Sequence, residues 1–210
     1  MQLDSKSIAF IAIMSALGNI LAGISIHVAP ILTAASGSGA AGAALDLSHI
    51  ATFTAAIFGG PAVGAVVGLL GGIYSGYSFG FTVGSLGFLS LVGIPVGKAM
   101  TGFTAGLLYK GLKINKSSRP SGYTVPIVLL SFIPESLFTV FYFLGLVLYF
   151  YGHAMAFMLP IILPKAWIEI ILMSFLMGAL VGNIGFRDFV SRFLSTSLSI
   201  PSRSKKMKSE

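Results

Sequence analysis

The sequence predicts an all-α integral membrane protein: a six-helix bundle with short second and third helices and both termini on the cytoplasmic side. Three observations carry that fold class. First, 55% of the 210 residues are hydrophobic and 9% are charged, against about 25% charged in a soluble domain, so the charges are too few to cover a water-facing surface. Second, several apolar runs reach the roughly 20 residues that a bilayer crossing requires. Third, lysine and arginine gather just beyond apolar runs. Lys110, Lys113, Lys116 and Arg119 form one cluster, and Arg187, Arg192, Arg203, Lys205, Lys206 and Lys208 form another. The alternate connections 29–46, 75–84 and 152–156 contain neither residue type. This asymmetry follows the positive-inside rule. The net charge of +7 therefore reads as a topology signal, and no nucleic-acid partner is expected.

The elements follow in order. The first helix covers about Lys6 to Val28, with Pro30 ending it. Its apolar run is too long for a signal-peptide core and reads as a retained helix. The Ala, Gly and Ser-rich stretch 29–46 then reads as a loop long enough to be functional. Asp46 or Ser48 suits the N-cap of a second helix, Leu47 to Phe58, which is only roughly 18 Å long. Gly59, Gly60 and Pro61 punctuate the chain, glycine closing one helix and proline opening the next. The third helix runs from Pro61 to about Tyr74; the alternative is a single kinked helix over 47–74. "SGYSFGFTVG" reads as a turn whose aromatic residues suit a membrane interface. The fourth helix covers about Ser85 to Leu112 with a kink at Pro95. The fifth covers Tyr123 to Tyr151, and the sixth Ala156 to Phe186. The chain thus divides into a transmembrane unit, 1–186, and a basic cytoplasmic tail, 187–210, whose end is expected to be disordered.

Charges inside a bilayer are costly, so each one is informative. Lys98, Glu135, Lys165 and Glu169 fall on the last three helices, most of them near mid-depth. Two acids and two bases make a neutral set. It reads as a salt-bridge network, a pocket for a charged or zwitterionic solute, or a proton relay. Pro160 and Pro164 open backbone beside Lys165 and lean towards the pocket. Trp167 is a stacking platform or an interface anchor, and Tyr142, seven residues after Glu135, offers a hydroxyl or packs in the core. His27, Asp46 and His49 match no metal-ligand spacing, and capping or interfacial solvation accounts for them. There is no cysteine and no phosphate-binding loop. No metal or cofactor is expected in the chain, and ATP hydrolysis would have to come from partners. Small residues line three faces: Gly60, Gly64, Gly68 and Gly72 on the third helix, Gly178 and Gly182 on the sixth, Ala12 and Ala16 on the first. Such faces allow close helix approach in lipid.

"AIMSA" at Ala12 to Ala16 and "DLSHIATFTAAIFGGPAVGAVVGLLGG", with Gly60–Pro61 followed by Gly64 and Gly68, resemble the substrate-binding S components of energy-coupling factor (ECF) transporters. That family carries an AxxxA motif on its first helix and a GP turn between two short helices. The resemblance implies a prokaryotic micronutrient importer subunit, multi-pass in the cell membrane. It would bind a vitamin or similar solute from outside, in a pocket of the fourth to sixth helices capped by the 29–46 lid. It would then dock through the Ala12 and Ala16 face on a transmembrane T component bound to two ATPases, which use the ATP. Nickel and cobalt members begin Met-His and this chain begins Met-Gln, so those cargoes are not expected. The family has no shared ligand motif. The candidate substrate set is therefore Lys98, Glu135, Tyr142, Lys165, Trp167 and Glu169, chosen from charge, depth and face. Two other classes stay open: a small intramembrane enzyme using Glu135 or Glu169 as acid or base, and a stand-alone secondary carrier or channel.

Overall fold

The computed structural model describes residues 5–36, 46–82, 86–114, 117, 119–153 and 158–195. The described residues are all-helical apart from turns and short connections. Five helices are long and apolar enough to cross a membrane. These are α1 (Ser5–Ser36), α3 (Pro61–Thr82), α4 (Gly87–Gly111), α5 (Pro120–Tyr151) and α6 (Leu159–Gly182). The short α2 (His49–Gly59) precedes α3, and an amphipathic α7 (Ile184–Ser195) follows α6.

α2 and α3 are separate helices, which excludes the single kinked alternative. Gly60 between them has φ +88°, a conformation open to glycine and strained for other residues. Pro61 starts α3 where a missing N–H costs nothing. The two helices fold back along one another, so closely that a Cβ on Gly64 would lie 2.6 Å from that of Ala56.

The glycine stripe continues into the pairing of α3 with α4. Gly64 faces Gly102, Gly68 faces the Lys98 carbonyl, Gly72 faces Pro95, Gly76 faces Ser90, and Gly80 faces Gly87. A Cβ on Gly76 would sit 2.9 Å from the Ser90 oxygen. Backbone therefore meets backbone along five turns, a close packing that side chains would prevent.

Four expected boundaries are corrected. α1 does not end before Pro30; it continues to Ser36. Proline is tolerated in membrane helices because neighbours and local adjustments satisfy the freed backbone groups. The expected 29–46 loop is shortened accordingly, and its stretch 37–45 lies outside the described residues. The expected turn after Tyr74 is instead helical to Thr82, with Ser78–Thr82 widened into a π turn. Its glycines are packing contacts against α4, and residues 83–84 of that prediction lie outside the described residues. α5 starts at Pro120 and is interrupted at Phe132, where Pro134 withholds the N–H that Leu130 would otherwise accept. The sixth helix stops at Gly182, because Asn183 is extended (φ −76°, ψ 112°). The Asn183 Oδ1 accepts the Phe186 N–H at 2.9 Å and so caps α7.

α7 changes the reading of the tail. Val190 joins Phe10, Ile11, Ala55, Val63 and Val67 in one apolar cluster, with Phe186 and Leu194 packed against it. The ring of Phe193 lies 6.1 Å from that of Phe10. The first part of the basic tail is thus a helix docked on α1, α2 and α3. Its remainder, 196–210, lies outside the described residues.

Candidate functional site

Besides the cluster under α7, two more apolar clusters fill the interior. One holds Phe53, Ala105, Tyr109, Val128, Phe132, Ile170 and Met177. The other, at the far end, holds Leu86, Phe143 and Val147 with Leu159 and Ile162 against them. Along α4, α5 and α6 the charged residues fall between these clusters. Lys98, Glu135, Lys165 and Glu169 form a polar layer inside an apolar bundle.

Lys98 is 2% exposed. Its ammonium lies 2.6 Å from Asp46 Oδ2, donates to the Ser48 hydroxyl and donates to Ser75 Oγ at 3.3 Å. An ammonium has three donors, and here each has an acceptor. The network ties α4 to α3 and to the turn that opens α2. Asp46 Oδ1 also accepts the Ser48 N–H at 3.0 Å. Burial pushes the Asp46 carboxyl up, but the charges of Lys98 and His49 and the hydrogen bonds from Lys98 and Ser48 outweigh it and hold the group well below the usual carboxylate range.

Glu169 Oε1 accepts the Asp46 N–H at 3.2 Å and lies 3.4 Å from the Lys165 ammonium. Lys165 keeps 32% of its side chain exposed while Glu169 keeps 8%. Their spacing of four on one helix puts them on one face.

Glu135 is different. It accepts a hydrogen bond from the Thr101 hydroxyl and lies over Gly97, where a Cβ would come 3.2 Å from the carboxylate. No cation lies within ion-pair distance of it among the described residues, although Lys98, Asp46 and Glu169 all act on it electrostatically.

Trp167 packs edge-on against Phe132, with ring centroids 5.2 Å apart. Phe132 in turn meets His49 edge-on at 6.3 Å, and His49 stacks on Phe53 at 5.9 Å. His49 is 5% exposed, and its Nδ1 is buried without a hydrogen-bond partner. Tyr142 sits apart from the charges: its hydroxyl donates to the Leu89 carbonyl at 2.6 Å and its ring covers Gly93.

The polar layer thus gathers four of the six expected substrate residues, while Trp167 packs into the neighbouring apolar cluster through Phe132 and Tyr142 lies elsewhere. It adds Asp46, Ser48, Ser75, Thr101 and His49, which the sequence did not assign to it. Asp46 carried a signal, as the one acid in a long uncharged stretch, but its partner lies 52 residues away. Asn19 was missed as well. It donates to the Leu70 carbonyl and accepts the Tyr74 N–H, at 2.9 and 2.8 Å. Those are the two groups of an i, i+4 helical pair, so Asn19 inserts into the α3 ladder at the Gly72 break.

Ala12 and Ala16 are exposed along one face of α1, beside Ile13 and Ile20 at 51% and 59% exposure. An open apolar groove lined by Leu69, Val96, Met100 and Pro134 lies on the flank of the bundle and contains no charge. Among the described residues no group of three His, Cys, Asp or Glu could hold a metal ion.

A family model described as the substrate-specific component of ECF transporters matches residues 6–181. No curated protein and no solved structure matches the chain.

Proposed function

Because the chain belongs to the family of substrate-specific components of ECF transporters, we propose that it captures a vitamin or related small micronutrient outside the cell membrane and delivers it to an ATP-driven importer. The observation that carries this reading is the polar layer. Charged and hydrogen-bonding side chains from α4, α5 and α6 converge there with the start of α2, between two apolar clusters. Polar groups at that depth are costly unless they do something. Lys165 and Trp167, both only partly buried, give that layer an approach. The lysine and arginine distribution supports cytoplasmic N and C termini, which puts the start of α2 on the external side.

Docking on a T component with two ATPases is assigned to the Ala12 and Ala16 face of α1. It is exposed and bordered by apolar residues. Small residues of this kind let a partner helix approach closely. The partner ATPases use the ATP; the chain itself needs no cofactor.

The test is reconstitution in proteoliposomes with and without the T component and ATPases. Uptake is expected only with the partners and ATP. Ala12→Leu and Ala16→Leu are expected to leave solute binding unchanged and to cut uptake by about tenfold or more, as loss of a central contact does. Uptake by the isolated chain would favour a carrier, and chemical turnover of the solute an enzyme. Unchanged uptake in both variants would remove the docking assignment.

A further inference from the structure

We propose that the polar layer is an acidic site and that its solute carries a positive charge, placed against Glu135. The inference rests on the solute-binding reading above and specifies the chemistry of that solute. By sequence the embedded charges looked neutral, two acids against two bases. The structure adds a third acid. Asp46 folds into the layer and pairs with Lys98 at 2.6 Å, while Glu169 pairs with Lys165 at 3.4 Å. Both bases are then matched, and among the described residues Glu135 has no counter-cation.

No residue outside the described set at that end can supply one. The connections 37–45, 83–85 and 154–157 contain no ionisable side chain. Lys98 cannot turn to Glu135 without abandoning Asp46, Ser48 and Ser75. It is a positioning residue that fixes the start of α2 over the layer. A partly buried carboxylate supported by one hydroxyl is poorly compensated in an apolar bundle, and a cationic solute compensates it. A second, independent observation points to a ligand in the same cluster. His49 Nδ1 is buried and unpaired, beside the Phe132 ring, whose edge in turn meets Trp167. It offers a hydrogen-bonding position to a solute that the salt bridges leave untouched. An organic cation with a polar or flat ring meets both demands.

The experiment uses the full chain in lipid nanodiscs. A yeast-extract nutrient mixture is split by ion exchange at neutral pH into cationic, neutral and anionic fractions. Each fraction is tested for thermal stabilisation of the wild type and of Glu135→Gln. The cationic fraction is expected to stabilise the wild type. The Gln variant keeps the shape and the acceptor for Thr101, and it should bind the active solute about thirtyfold more weakly or worse, as loss of one partner of a buried charge pair does. Its melting temperature without extract should be unchanged or higher, which separates loss of binding from loss of fold. Stabilisation by the neutral or anionic fraction alone, or equal binding by Glu135→Gln, would overturn the positive-charge inference and leave solute capture standing. Stabilisation by no fraction would overturn solute capture itself.

Discussion

Lys98 shows how one side chain can stand out in the sequence and still be given an open role. Its position in an apolar run marks it as a buried charge that must do something. What it does depends on Asp46, Ser48 and Ser75, which reach it from two other segments. Removing the ammonium by Lys98→Met would leave the partly buried Asp46 carboxylate unpaired. This is expected to cost about 3–5 kcal/mol, measured as a lower unfolding midpoint in detergent. Neutralising both partners, as Lys98→Met with Asp46→Asn, is expected to recover part of that loss, since the uncompensated charge is gone. If the double variant is no better than the single, the pair is not what holds the turn. Trp167 and Tyr142 were legible as residues with two roles each. The structure packs Trp167 on Phe132 at the edge of the layer and sends the Tyr142 hydroxyl to a backbone carbonyl.

At the scale of elements, the repeated glycines of α3 form a surface for α4. The periodicity alone showed a groove; it did not show which helix fills it. Gly64→Ala would bring a methyl group to 2.6 Å from the Gly102 carbonyl and the Ala56 side chain. Overpacking of this kind costs about 1–3 kcal/mol, again read from the unfolding midpoint. Gly122→Ala in α5 is the control. A Cβ there meets nothing within 4 Å, so the change is expected to be neutral or stabilising by roughly 0.4–1 kcal/mol. Equal losses in both variants would mean that the α3–α4 contact is not close. The helix ends were less legible than the helices. Pro30, Gly76 and Gly80 are breakers by local chemistry, yet the helices run through them. In lipid an open backbone is costlier than a strained or weakened helical turn.

The whole molecule places its polar layer between two apolar clusters and its basic loops at one end. That arrangement makes the orientation testable, because the chain has no cysteine of its own. Single cysteines at His153, between α5 and α6, and at Ser117, between α4 and α5, mark opposite ends. A membrane-impermeant maleimide added to intact cells is expected to label His153→Cys and to spare Ser117→Cys until the cells are opened. The reverse pattern would invert the topology and put the start of α2 on the cytoplasmic side. α7 belongs to this scale too. It seals the N-terminal end of α1 through Phe10 and Val190, a contact between the two ends of the chain that no local pattern announces.

The sequence by itself determined the membrane class, the break at Gly60–Pro61, the family motifs and the small set of charges embedded in apolar runs. Each of these is local: hydropathy over a window, turn chemistry at three residues, or the cost of one charge in an apolar run. Only the tertiary structure decided which charge meets which. Asp46 lies at the edge of a stretch rich in Ala, Gly and Ser, and nothing nearby reveals that it pairs with Lys98. That single long-range contact turns a neutral set into an acidic one, because a buried cation satisfied by one carboxylate has little left for another.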